Sequence, residues 1–351
     1  MKKPPIQIED CSKVELHIHV LGYFPKGESI LIVLWDGNDN TVLRSILVDC
    51  YERDGKNIIN KVLDKYGLAS KKLDFIVWTH PDLDHSLGMH KIIGSYSSKC
   101  TQILLPAGFK RELFKSIKSE LMKVAWTVFK KSRQDKESVV PVSTSGIYTN
   151  GPTISDRYQD GITDGFIFSI EILAPFSESS FRWTEVLNSF NKNDISIAFN
   201  IHFGNYRFLF GGDAMNYALT KIDEERMVNT MFVKIPHHGS HTSDKLPTIL
   251  QNIKAYKRKI TAVTTTFVGQ FTHLPDTSVL NQYKCISRKI LHTNKKAERH
   301  NNYGICSLKY KYNSSVPDYN YEGDAYVYYE STNAQKNNKL SNKERTSEFC
   351  F

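Results

Sequence analysis

Trp78-Thr79-His80-Pro81-Asp82-Leu83-Asp84-His85 closes an apolar run, Leu73-Asp74-Phe75-Ile76-Val77, and opens onto Ser86-Leu87-Gly88-Met89-His90-Lys91-Ile92-Ile93. The run before it reads as a buried strand, and the stretch after it as the first turns of a helix. The loop between them therefore carries two imidazoles and two carboxylates on a short piece of constrained backbone. A divalent cation needs such an arrangement: lone-pair donors held close together by a chain that cannot drift. Capping the helix would occupy one carboxylate and leave the other three groups without a task.

On either side of this loop, apolar runs alternate with turn chemistry and helical periodicity, a mixed α/β pattern. Residues 14–20 alternate strictly and predict a strand with one buried face. His17 and His19 fall opposite that face and are expected in solvent. Residues 22–29 read as a loop, and 30–35 as a second strand. Asp36-Gly37-Asn38-Asp39-Asn40 is a hairpin turn, and the strand at 45–48 ends at Asp49. A short helix is expected over 58–66, ended by Gly67, and a strand over 102–106. Leu113, Ile117, Leu121, Val124 and Val128 recur at helical spacing among lysines and an arginine, predicting a basic amphipathic helix over 109–131. It reads either as a docked helix with a solvated face or as an arm whose Lys110, Arg111, Lys115 and Lys118 follow a phosphate backbone.

Residues 132–165 read as a long loop or weak hairpin. Strands are expected at 166–173, 195–203, 206–210, 232–235 and 260–266, then at 289–293 and 304–310. Helices are expected within 177–190 and over 214–229 and 276–284. Past residue 328 the Asn-, Lys- and Ser-rich tail predicts disorder.

With 351 residues, 40% of them hydrophobic, the chain can bury a large core. A formal net charge of +9 favours acidic partners, nucleic acid foremost. Cys11, Cys50, Cys100, Cys285, Cys306 and Cys350 form no CxxC pair, which fits free thiols in a reducing cytoplasm. Met1-Lys2-Lys3-Pro4-Pro5 lacks a following apolar segment, so neither a secretory signal nor a membrane partner is expected.

His80-x-Asp82-x-Asp84-His85 resembles the HxHxDH signature of the metallo-β-lactamase superfamily. Asp82 stands where most members have histidine, as in the branch holding the soluble hydrolase domain of ComEC competence proteins and its stand-alone relatives. Further passages resemble that branch in the same order. They are Gly27-Glu28-Ser29, Asp49, Asn193 with Ser196, Gly211-Gly212-Asp213, Pro236-His237-His238-Gly239-Ser240 with Thr242-Ser243, and His273. Between His273 and Pro275 this chain has one extra residue.

The resemblance implies an αββα sandwich over 1–330, with a basic helical insertion at about 109–165 and a tail at 331–351. It implies two divalent metal ions, Zn²⁺ or Mn²⁺ with Mg²⁺ also allowed, because Asp82 in place of histidine hardens the site. His80, Asp82, Asp84, His85 and Asp213 are the implied ligands, with Asp213 bridging. Adjacent side chains diverge, so one of His237 and His238 binds metal; His237 is preferred, leaving His238 toward substrate. Asp49 is expected behind the ligands. No histidine stands at the 191–194 turn, so Asn193 or Asp194 is placed at the site edge, and His202 is read as structural. Asp84 is expected in the chemistry, and His238 or His273 as proton donor to a leaving oxygen.

The implied activity is hydrolysis of phosphodiesters in nucleic acid, DNA before RNA. The alternatives are hydrolysis of a cyclic nucleotide, lactam or thioester, and a non-catalytic binding module. A partner protein encoded in the same operon is compatible with this reading, and the oligomeric state stays open.

Overall fold

The computed structural model describes residues 8, 10–108, 119–144, 153–158, 166–180, 191–253, 259–294 and 302–331. The first part of the chain forms strands β1 (Val14–Tyr23), β2 (Glu28–Asp36), β3 (Thr41–Val48), β4 (Phe75–Val77), β5 (Gln102–Pro106) and β6 (Val139–Val142). Next come β7 (Thr153–Tyr158), β8 (Phe166–Ala174), β9 (Ala198–Phe203), β10 (Tyr206–Phe210), β11 (Thr230–Lys234) and β12 (Ile260–Thr264). A small hairpin, β13 (Phe267–Val268) and β14 (His273–Leu274), precedes β15 (Ser287–His292), β16 (Tyr303–Lys311), β17 (Asp318–Gly323) and β18 (Tyr326–Glu330). The helices are α1 (Ile59–Lys65), α2 (Leu68–Lys71), α3 (Leu83–Ser86), α4 (Met89–Tyr96), α5 (Ser119–Gln134), α6 (Asn216–Leu219), α7 (Lys245–Asn252) and α8 (Thr277–Lys284).

The strands build two mixed sheets, ordered β17-β16-β1-β2-β3-β4-β5-β6 and β18-β15-β12-β11-β10-β9-β8-β7. In each, an antiparallel meander runs into a parallel block: β3 to β6 in one, β10 to β12 and β15 in the other. Successive side chains of a strand point to opposite faces, so a strand buried on both faces reads as a continuous apolar run. Strand β2 shows this. Ile30, Ile32 and Leu34 join a core shared with Phe199, Phe210 and Phe232 of the other sheet, while Leu31 and Val33 pack against Val62, Leu63 and Ile92 of α1 and α4. A third cluster sets Leu209, Val233 and Ala262 against Leu246, Leu250 and Val279. The order of layers is thus helices, sheet, sheet, helices. Each fully buried aliphatic side chain contributes ~1.5–3 kcal/mol.

Several expectations change. The loop expected over 22–29 shrinks to 24–27, because Gly22 and Tyr23 end β1, Glu28 and Ser29 begin β2, and Gly22 pairs with Glu28. The glycine there serves close packing rather than a turn, since a Cβ at Gly22 would lie 2.0 Å from Thr293 Oγ1. His17 and His19 are not in solvent, because Tyr66 at the end of α1 covers them. Its hydroxyl lies 2.8 Å from both His17 Nδ1 and His19 Nε2, and Glu15 and Ser307 meet the other ring nitrogens. Burial, helped by His17, Lys65 and Lys309, pushes His19 down to about 3.

The helix expected over 214–229 is broken into α6 and a 3-10 turn, Glu224–Met227, because the Asp223 side chain accepts from the Glu225 amide and starts a new turn. Within the expected insertion, β6 extends one sheet and β7 the other, so part of 109–165 is woven into the fold. Strands β17 and β18, not foreseen, form the opposite edges, and Ser331 is buried.

Lys110, Arg111, Lys115 and Lys118, residues 181–190 of the expected 177–190 helix, and residues 332–351 of the tail lie outside the described residues. Among the described residues no helix is long and apolar enough to cross a membrane.

Candidate metal centre

The parallel strands deliver their ends to one seam between the sheets. Asp49 follows β3, His80 to His85 follow β4, Asp213 follows β10, His237 and His238 follow β11, and Thr265 follows β12. The motif loop is closed on itself, since Trp78 Nε1 donates to Ser86 Oγ at 2.8 Å. It is also tied across the seam, where the Ile197 amide donates to Thr79 O at 3.0 Å, and on the far side the Asp213 amide donates to Ser196 Oγ at 2.9 Å. Asp49, His237 and His238 adopt positive φ of 54°, 46° and 52°. Such backbone costs of order 1–3 kcal/mol per residue and collects at functional sites. Gly212 makes the approach to Asp213 feasible. Its φ is 51°, and a Cβ there would meet Ile197 O and Ser196 Oγ at 2.6 Å.

Hydroxyl stoichiometry fixes the protons on the histidines. Thr265 Oγ1 donates to Glu28 Oε2 at 2.7 Å and lies 2.7 Å from His238 Nδ1. A hydroxyl has one proton; given to the carboxylate, it leaves the oxygen to accept from His238 Nδ1–H. Thr79 repeats the pattern: it donates to Asp49 Oδ2 at 2.6 Å and lies 3.0 Å from His80 Nδ1. His85 Nδ1 donates directly to Asp49 Oδ2 at 2.7 Å. All three rings are therefore anchored through Nδ1, and all three turn Nε2 the same way. His80 Nε2, His85 Nε2, His238 Nε2 and Asp213 Oδ1 are buried without a hydrogen-bond partner.

These atoms converge. Asp213 Oδ1 lies 3.4 Å from His85 Nε2, and its Oδ2 lies 3.7 Å from His80 Nε2 and 3.8 Å from His238 Nε2. Asp84 Oδ2 stands 3.4 Å from His238 Nε2 and 3.7 Å from His85 Nε2, and Asp82 Oδ2 3.5 Å from His80 Nε2. His80, His85 and Asp213 form one group able to hold a cation. Glu28, His85 and His238 form another by distance alone. Glu28 faces the anchored Nδ1 side and is already paired with Lys234 Nζ at 2.7 Å, so it supports the rings from behind. No family model matches the chain, and no curated protein matches its sequence.

Charge points the same way as geometry. Burial raises carboxyl pKa values, yet His85, His238 and His237 hold Asp213 well below its ordinary value, and His238 and His85 hold Asp84 down. Asp82, likewise opposed by burial, is pulled down by His80 and by Lys192, which is ion-paired to its Oδ1. Burial pushes the His85 imidazole down, but Asp213 and Asp49 outweigh it and hold its pKa well above the usual range, so without a cation a proton sits on Nε2 facing Asp213, in the place a cation would take. Glu28, Asp49, Asp82, Asp84 and Asp213 thus face Lys234 and Lys192, leaving buried anionic charge. Unpartnered imidazole nitrogens and carboxylate oxygens on an anionic seam are a donor set for a borderline divalent cation.

The structure brings His80, Asp82, Asp84, His85, Asp213 and both histidines of the pair to one place, with Asp49 behind them. It reverses the order expected for the pair. His238 is buried with Nε2 in the cluster, whereas His237 is at the rim with both nitrogens engaged, by Asn193 Nδ2 at 3.1 Å and Thr242 Oγ1 at 2.6 Å. Left-handed backbone at both residues aims the second ring inward, which adjacency in sequence cannot reveal. Asn193 reaches the site edge as expected, and His202 pairs with Glu171 away from it. His273 is exposed on β14 and does not line the cavity.

That cavity, about 450 Å³, is lined by Lys26, Leu83, Lys192, Phe267 and Leu121 of α5 together with the cluster. Sequence reading missed Lys26, Lys192, Lys234 and Thr265. Only Lys234 carried a signal: a lysine inside the apolar run Phe232-Val233-Lys234-Ile235 implies a buried counter-charge.

Proposed function

We propose that this chain is a metal-dependent phosphodiesterase acting on nucleic acid, with the sandwich of the metallo-β-lactamase superfamily. Convergence of four buried, unpartnered ligand atoms below a cavity that carries two lysines supports it most. The helix–sheet–sheet–helix order and the location of the site at the sheet seam are consistent with the fold. His80, Asp82 and Asp213 would hold one divalent ion, and Asp84, His85, His238 and Asp213 a second. The donor set suits Zn²⁺ or Mn²⁺. Bound there, such ions supply Lewis acidity and a water deprotonated near neutral pH.

The chain's own residues do the rest. Asp49 and Thr265 keep the rings in the tautomer that presents Nε2. Lys26 and Lys192 line the cavity with positive charge and favour an anionic substrate over a lactam or thioester. His237 is held below the ordinary imidazole range, by burial first and by the neighbouring imidazoles, against the opposing pull of Asp213, so near neutral pH it is a poor acid. Charge developing on a leaving oxygen therefore falls to the lysines.

The test is metal analysis of the purified protein followed by a panel of single- and double-stranded DNA and RNA with Mn²⁺, Zn²⁺ or Mg²⁺. Bound metal and cleavage lost in Asp84→Ala are expected. A well-folded protein that takes up no metal and cuts no strand would sink the proposal.

A further inference from the structure

The β13–β14 hairpin is not used by the chemistry above, yet it places one ring, Phe267, in the lining of the cavity. The Val268 amide bonds Pro25 O at 2.8 Å, and the Gly269 amide closes the turn onto Thr272 O at 2.7 Å. Phe267 lines the cavity, its ring centroid 5.5 Å from that of His238. Lys26 Nζ stands over the same ring, 5.6 Å from its centre, so a base taking that face would displace it onto the adjoining phosphate. Further along the hairpin Phe271 is 89% exposed, an unusual position for a large aromatic side chain. A half-buried ring and a cation therefore share the cavity lining, and a solvent-facing ring lies four residues further along the same hairpin.

An aromatic face beside a cation matches one repeating unit of a single strand, a base with its phosphate. Every base has a π-face, and stacking on a protein ring contributes about 5- to 150-fold in affinity per base. In a duplex those faces are already covered, and exposing one requires flipping the nucleotide out. A cavity of about 450 Å³ lies toward the small end of those that enclose one small ligand, about 300–1,000 Å³. It has room for one unpaired nucleotide.

Resting on the phosphodiesterase reading, we infer that Phe267 stacks an unpaired base beside the scissile phosphate, that Lys26 takes the adjoining phosphate, and that Phe271 stacks a base further along. The site then selects single-stranded over double-stranded nucleic acid.

Binding tests this whether or not any strand is cut. The full chain as purified, with the metal it holds, is titrated by fluorescence anisotropy with cleavage-resistant phosphorothioate forms of a labelled single strand, of the same strand built of abasic units, and of a duplex. The base-bearing strand binds at least about tenfold tighter than the abasic one. Phe267→Ala removes most of that difference and Phe267→Trp keeps it. Phe271→Ala, at a position too exposed to threaten folding, lowers affinity for the base-bearing strand alone. Lys26→Gln weakens both strands alike and reduces the salt dependence.

Equal binding of base-bearing and abasic strands by the wild type, or a loss common to both in the two alanine variants, overturns the inference. The parent reading is decided separately by the metal and cleavage panel. Cleavage without base preference leaves hydrolysis standing and removes stacking.

Discussion

Replacing Thr265 by valine tests whether the hydroxyl behind His238 organises this site. The hydroxyl accepts from His238 Nδ1 and donates to Glu28 Oε2, both at 2.7 Å, and all three side chains are buried. Valine keeps the shape and removes both bonds. A buried N–H without an acceptor costs ~1–3 kcal/mol, and Glu28 retains Lys234, so the fold should survive with reduced stability. The ring then gains by moving its proton to Nε2, the atom that would bind metal. Partners of this kind are worth ~10–100-fold in metal affinity, or about 1.4–2.7 kcal/mol. Competition against a chromophoric chelator measures the affinity, and nitrogen NMR of the metal-free imidazoles reads the tautomer. Thr265→Ser should bind metal nearly as wild type and retain the Nδ1–H form. A folded Thr265→Val protein with wild-type metal affinity and an unchanged His238 tautomer would refute the proton assignment and the role given to Glu28 and Lys234.

Asp213→Asn should leave the fold intact but remove the carboxylate common to both ligand groups; metal content by mass spectrometry should fall by at least one ion per chain, and unchanged content would count against bridging. Tyr66→Phe strips the hydroxyl shared by His17 and His19, at ~1–3 kcal/mol; the melting temperature should drop while metal content stays constant, and no drop would show that the pair does not depend on Tyr66. Burial would raise the Glu171 carboxyl, but His202 and Arg226, each 2.8 Å away, bring it down from 4.5 to about 2. A depressed carboxyl adds stability above its unfolded value and loses it as pH falls through the folded one, here from about pH 4.5 to about pH 2. Glu171→Gln should flatten the fall in melting temperature across that window by up to ~3 kcal/mol equivalent, and an identical pH profile would contradict the assignment.

Local chemistry made the motif loop legible. His80, Asp82, Asp84 and His85 stand too close together for any packing role, and an apolar strand delivers them. Asp213 and the histidine pair were readable only through the family resemblance of their passages, since a Gly-Asp before a helix otherwise reads as a cap. What failed depended on contacts between distant segments. His17 and His19 looked exposed because period-2 reasoning assumes a wet outer face, whereas α1 lays Tyr66 over it. The choice between His237 and His238 turned on two left-handed backbone conformations that no side-chain pattern encodes. Thr265 sits among Thr264 and Thr266, and only the partner on β2, Glu28, distinguishes it.

The fold explains why the ligands sit in this seam. A cluster that leaves His80, His85 and His238 each with an unpartnered buried nitrogen is unfavourable on its own, by ~1–3 kcal/mol per group. It persists because the atoms are carried at the ends of strands that have no freedom to relax. Ile76 and Val77 of β4, Phe208 to Phe210 of β10 and Phe232 to Lys234 of β11 are fully or almost fully buried and locked in parallel register. Rearranging one ligand to find a partner would pull a strand out of its sheet, losing several aliphatic burials of ~1.5–3 kcal/mol each. Rigidity on that scale holds a desolvated, anionic donor set open toward the cavity, and a divalent cation bound there would relieve both the charge and the unsatisfied lone pairs. The same reasoning predicts where evolution or engineering could abolish binding without touching a ligand: at Thr79, Ser196 and Thr265, the hydroxyls that fasten the two sheets' loops to one another and to the rings.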